Sequence, residues 1–333
     1  MNGTVTDAAI AGARNLLTGC ADIGPGADVV VIAEDPGLGW YDAASPMLIA
    51  DEARKMGADV RVFAAGPPDQ ALDDDAGRAV DSADLTVFFA RIGDKDRFSA
   101  DRLAKPSIVS YARTLGQLAS DFGRRPHGEL TAAKKAADAA AFGADRIEIR
   151  CPLGTYLVGS PAAMGGGGDV TVQRFPLCVP SPVLAAGFSG TVALTRCLSP
   201  TGSQSYDPPS LNIDGVVMAN VVDGRVTGFE GEAAMVDAIR AHHEHVAGLF
   251  GIDPWVVHSF HAGIHEGCDG DRPIGDDADL WSNSVFGSPR WLHFHTCGDY
   301  APGEICWMVR DPTVFCDGVA VWDQGALRLN AIA

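Results

Sequence analysis

The sequence predicts an α/β N-terminal domain on an open, mostly parallel sheet (residues 1–149), followed by a β-rich α+β C-terminal domain (residues 150–333). Three observations carry this reading. Apolar runs of strand length alternate with helix-length segments through the first 150 residues, the pattern of a sheet with helices on its faces. Beyond that point, Gly- and Pro-rich stretches separate short β-type runs. The chain, 333 residues long and 47% hydrophobic, is long enough for two cores.

Taken in order, "DVVVIAED" (28–35) is a continuous apolar run, as in a strand buried on both faces. "AASPMLIADEARKMGA" (43–58) reads as a helix that stops at Gly57. Further strands are expected over "DVRVFAA" (59–65), "DLTVFFARIGD" (84–94) and "KPSIVSYA" (105–112). The Ala- and Lys-rich segment 130–144 predicts a helix ended by Gly143, and "DRIEIRCP" (145–152) returns to strand. In the second half, "TVQRFPLCVP" (171–180) and "GTVALTRCL" (190–198) are β-type. In "VVMANVVDGRVTGF" (216–229), Asp223-Gly224 marks a hairpin turn. One clear helix follows, Glu232 to Phe250, and residues 304–329 add two or three strands.

Several functions are excluded or disfavoured. The segment after the first strand, "EDPGLGW" (34–40), lacks the GxGxxG spacing of a dinucleotide site. "MGGGGD" (164–169) has no Lys-Ser/Thr and reads as a flexible connection or hairpin tip. A net charge of −18 argues against nucleic acid and anionic membranes as partners. The apolar runs are too short to cross a bilayer. Eight scattered cysteines without a CxxC pair, and no visible secretory signal, predict reduced thiols in a cytoplasmic protein. A homo-oligomer is expected.

The chemistry is written in the histidines. Of nine, eight lie between His242 and His295. In "WLHFHTCGD" (291–299), a strand puts His293 and His295 on one face, with Cys297 as a further candidate. Two residues along a helix would instead mean roughly 200° of rotation. Imidazoles so placed converge on one ion, with ligand bonds of about 2.1 Å. In "VHSFHAGIHEG" (257–267), Gly263 argues against a helix, so the segment reads as a strand running into a loop. His261 then faces the site, while His265 and Glu266 are loop candidates for acid/base work. On the helix, Met235, Ile239, His242, Val246 and Leu249 share a face. His242 is accordingly expected as a satisfied core residue, with His243 and His245 on solvated flanks. The acidic stretch 266–281 reads as a solvated loop. Past the third strand, Arg91, Asp94 and Arg97 lie where open sheets place ligand contacts.

The arrangement of "CPLGT" (151–155), "DGRVTGFEGEAA" (223–234), "SFHAG" (259–263) and the strand His-x-His resembles the 2,5-dihydroxypyridine dioxygenase group. That group shares its fold with the thermophilic metallo-aminopeptidases of the aminopeptidase T type. The resemblance implies one non-haem Fe(II) held by His261, His293 and His295, the last standing where the group has aspartate. Three neutral ligands leave the ion a charge of +2 rather than +1, which favours an anionic, bidentate substrate. Glu232 or Asp299 are the alternatives for the missing carboxylate. The implied reaction is ring cleavage of a small hydroxylated (hetero)aromatic by O₂, with Arg91 and Glu232 as substrate contacts. A Zn-, Mn- or Co-dependent hydrolase or aminopeptidase-like enzyme on the same scaffold, cleaving an amide or ring C–N bond, is the rival, and a non-catalytic α/β binding protein the third reading.

Overall fold

A computed structural model describes residues 4–95, 105–161, 172–202, 204–300 and 302–329. The Gly-rich stretch 164–169 and Arg97 lie outside them. The chain forms two units: Met1–Thr131 with Val170–Cys178, and Ala132–Asp169 with Val179–Ala333.

In the first unit the chain runs through α1 (Asp7–Arg14), β1 (Asp28–Glu34), α2 (Ala44–Lys55), β2 (Asp59–Ala65) and α3 (Asp74–Ser82). It continues through β3 (Leu85–Phe89), α4 (Ile92–Lys95), β4 (Ser107–Ser110), α5 (Leu115–Ala119) and α6 (Asp121–Arg124). The helix α7 (His127–Gly143) then crosses the division between the units and leads to β5 (Ile147–Arg150) and β6 (Tyr156–Gly159). With β7 (Gln173–Phe175) the chain is back in the first unit.

There, β2-β1-β3-β4-β7 form a parallel sheet. The unbroken apolar run in β1 follows from burial on both faces. Val30 and Ile32 pack with Phe88, Val109 and the alanines of α3. Val29 and Val31, pointing the other way, are equally buried.

The second unit adds β8 (Val183–Leu184), β9 (Ser189–Pro200), β10 (Leu211–Val222), β11 (Arg225–Glu230), α8 (Ala233–Phe250) and β12 (Val257–Ala262). It ends with α9 (Ala278–Val285), β13 (Trp291–Thr296), β14 (Ile305–Arg310), β15 (Thr313–Cys316), β16 (Val319–Asp323) and β17 (Ala326–Leu327). Its antiparallel sheet has the order β17-β16-β15-β5-β6-β9-β14-β13-β12-β8, with β10 and β11 attached to β9. The Asp223-Gly224 turn joins β10 to β11, both residues at positive φ as a tight hairpin demands. Among the described residues, no helix is long and apolar enough to cross a membrane.

Strand alternation sorts α8 and α9 onto opposite faces. Trp291, Cys306 and Met308 pack with Trp281 and Val285 of α9. Trp307, one residue out of phase, donates its indole N–H to His243 of α8 at 3.1 Å. His243 is therefore fully buried rather than solvated, because Phe229, Trp255 and Trp307 surround it. His242 is buried as expected, but its Nε2 has no hydrogen-bond partner, so it is not satisfied. His245 is exposed and meets the Asp207 carbonyl at 2.8 Å. The acidic stretch is only partly loop. Asp277 accepts the Leu280 backbone N–H at 2.9 Å and starts α9, whose Trp281 anchors it to the core.

Candidate metal centre

β12 and β13 pair antiparallel, with His261 directly opposite His293 and Ser259 opposite His295. Directly opposed residues share a sheet face, and so do residues two apart on one strand. His261, His293 and His295 consequently stand on one face. The His261 ring centroid lies 5.4 Å from that of His293 and 5.0 Å from that of His295. The Nε2 atoms of His261 and His295 are 3.2 Å apart.

Backbone carbonyls fix two of the rings. His261 Nδ1 lies 3.0 Å from the Pro180 carbonyl, to which only a protonated nitrogen can bond, leaving Nε2 as an acceptor. His293 Nδ1 faces the His261 carbonyl at 3.3 Å in the same sense, and its buried Nε2 has no partner. Burial pushes the His293 pKa down to about 4, so the ring is neutral near pH 7. A neutral imidazole whose Nδ1–H binds a carbonyl is the usual form of a metal-ligating histidine.

The His261–His295 pair alone has a spacing that one divalent ion could bridge. Two nitrogens 3.2 Å apart, each about 2.1 Å from one ion, subtend roughly 100°. That angle lies between octahedral and tetrahedral values. Among the described residues, no three His, Cys, Asp or Glu side chains are already drawn around one point. The His261–His295 pair is formed, and the idle Nε2 of His293 belongs to the neighbouring ring. Beside His261 is a cavity of about 20 Å³, lined by Pro180, Val183, Phe260, Leu292 and Trp322 among others. It has room for about one water. Phe286, just past α9, lies against His293 with ring centroids 5.8 Å apart.

The other sequence candidates have contacts of their own. His265 is fully buried on the turn after β12, where its Nδ1 accepts the Gly267 N–H at 3.1 Å. Glu266 next to it is exposed. Glu232 caps α8, its carboxylate accepting the N–H groups of Ala234 and Met235 at 3.1 and 3.0 Å. Arg91, in the first unit, donates from Nε to Glu34 at 2.9 Å. Asp299 is exposed and acts electrostatically on His258. Cys297 has left the strand: its φ is +63°, its thiol points to the His243 carbonyl, and burial pushes its pKa up to about 12. It does not stand in line with His293 and His295, and it stays a thiol at neutral pH. Sequence reading missed Pro180, which orients His261 from 81 residues away. No local pattern could have marked it.

No family model matches the chain, and no curated protein is similar to it in sequence. Solved structures are similar in fold. One is a 2,5-dihydroxypyridine dioxygenase from Pseudomonas putida KT2440, with a TM-score of 0.69 and 13% identity over 98% of each chain. Another is wild-type AmpT from Thermus thermophilus, with a TM-score of 0.58 and 12% identity over 96% of this chain and 98% of the other. The fold that the sequence resemblance implied is the fold of the molecule. At such identities the likeness speaks for the architecture alone.

Proposed function

We propose that the chain is a metal-dependent enzyme, a mononuclear Fe(II) dioxygenase that opens the ring of a small hydroxylated (hetero)aromatic such as a dihydroxypyridine. The observation that carries this reading is the 3.2 Å approach of the His261 and His295 Nε2 atoms, with His293 on the same sheet face. His261, His293 and His295 would hold the ion as three neutral ligands. Fe(II), when bound, supplies the electronic coupling through which an electron-rich ring reacts with O₂.

The chain's own groups do the remaining work. The carbonyls of Pro180 and His261 hold the tautomers of His261 and His293, so both rings offer Nε2 without rearrangement. Phe286, whose ring lies against His293, limits water beside the histidines. His265, with Nδ1 engaged by Gly267, carries its proton on Nε2 and therefore enters as a donor rather than a base. Glu266 on the same turn is the proton acceptor for the substrate hydroxyl.

The likeness to AmpT, and a donor set that zinc accepts equally, support a second reading: a Zn- or Mn-dependent hydrolase. Metal analysis of anaerobically purified protein, followed by O₂ uptake with hydroxypyridines and aminophenols, separates the two. One iron per chain with substrate-dependent O₂ consumption is expected. Turnover without O₂ on zinc or manganese would replace the first reading by the second. A chain that binds no divalent metal would remove both and leave a binding protein.

A further inference from the structure

The carbonyl that orients His261 belongs to a peptide unit with a second attachment. The Pro180 C=O, 3.0 Å from His261 Nδ1, and the Ser181 N–H are two ends of one planar amide. In a trans peptide these ends point in opposite directions, so the unit bridges β12 on one side and α7 on the other. On the α7 side, Asp138 Oδ1 accepts the Ser181 N–H at 2.8 Å. Pro180 and Pro182 have no N–H, so Ser181 supplies the only backbone donor of this tripeptide. Asp138 takes it.

The carboxylate is itself held. Lys134, one turn earlier on α7, donates to Asp138 Oδ2 at 2.7 Å and to Ser181 Oγ at 2.6 Å. Ser181 Oγ in turn donates to Asp138 Oδ2 at 3.1 Å. Lys134 and Asp138 stand i and i+4 on one helix face, with side chains only 18% and 20% exposed. Their charges are thus partly shielded from solvent and its screening. These residues and His261 all belong to the second unit. An anion that accepts an amide N–H pushes electron density toward the carbonyl oxygen of the same amide, which then accepts more strongly at its far end.

Histidines that hold metals often give their second N–H to a carboxylate directly. Here one peptide unit stands between the two. We propose that Asp138 is a positioning residue for the histidine centre. Through the Pro180–Ser181 amide it fixes the proton of His261 on Nδ1 and strengthens Nε2 as a donor to the ion. The consequence for an ion rests on the metal reading above, whereas the placement of the proton does not.

The test begins with full-length, metal-free protein carrying isotopically labelled histidine, followed by NMR at about pH 8, above the ordinary imidazole range. The His261 signals are those that vanish in His261→Ala. The parent is expected to carry the His261 proton on Nδ1 alone, and Asp138→Ala to show a mixture of both tautomers. Titration with Zn(II) reads the consequence. Asp138→Ala should bind the ion about 10- to 100-fold more weakly, with the circular dichroism of the parent. Asp138→Asn keeps an oxygen for the Ser181 N–H but no charge, so its tautomer should persist while zinc affinity falls part of the way. This nearly isosteric variant carries the test if the alanine variant does not fold. A parent-like tautomer in Asp138→Ala overturns the proposal, as does a parent whose His261 proton sits on Nε2. Parent-like zinc affinity in Asp138→Asn removes the electronic part. A parent that binds no zinc counts against the metal reading alone, and the tautomer comparison still decides this one.

Discussion

His261 and His293 illustrate how much a single hydrogen bond decides. Each gives its Nδ1 proton to a carbonyl, which leaves Nε2 as the only atom able to meet an ion. His261→Ala and His295→Ala each remove half of the closest pair, and each is expected to lower metal content to below about a tenth of the parent's. Elemental analysis of dialysed protein reads this directly, and parent-like metal content in either variant would move the ion elsewhere. His243 gives a prediction about pH. Burial, as the largest cause, pulls its pKa down to about 4, against about 6.5 in the unfolded chain. The folded state thus prefers the neutral ring, so its contribution is intact above about pH 6.5. As pH falls from there toward 4, the unfolded chain takes up the proton first, and roughly 3 kcal/mol is lost. Urea midpoints should drop between pH 7.5 and 5, and less steeply in His243→Phe. His242 and His293, similarly depressed, keep some slope in that variant.

At the level of elements, α8 begins with a carboxylate cap and β12 ends at a glycine, and both invite measurement. Glu232→Ala removes the acceptor for two backbone N–H groups. It should cost about 1 kcal/mol in denaturant unfolding, with turnover unchanged. A selective loss of kcat/KM would instead return Glu232 to the substrate. A Cβ at Gly263 would lie 2.3 Å from the Ser288 carbonyl oxygen, a rigid neighbour. Gly263→Ala should therefore destabilise by about 1–3 kcal/mol and shift the exit of β12, lowering metal affinity as well. The elements also show what could be read in advance. β1 and β3 were visible as apolar runs because both faces are covered, and the β10–β11 hairpin because Asp-Gly suits its turn. His293 and His295 were visible because strand periodicity is local. α9 was hidden in an acidic, Gly-rich stretch, where only the Asp277 cap and Trp281 hinted at it. The registry of His261 with His293 is set by pairing between distant segments, which no local pattern records.

Across the whole molecule, the two sheets make different kinds of place for a ligand. The parallel sheet offers strand ends, and the antiparallel sheet offers a face. Added Fe(II) or Zn(II) should slow amide hydrogen exchange in β12 and β13, while β1 and β3 stay unchanged. Protection spread evenly over both sheets would speak against an ion held between β12 and β13. The pairing of β12 with β13 also limits how this chain can vary in length. Facing direction flips with every residue added to a strand, so one insertion just ahead of His293 would turn both imidazoles toward the α8 layer and bring Leu292 or Phe294 beneath α9. Gains and losses of sequence are consequently tolerated in the turns and excluded from the two strands, where even a perfectly folded variant would present aliphatic and benzyl groups in place of imidazoles.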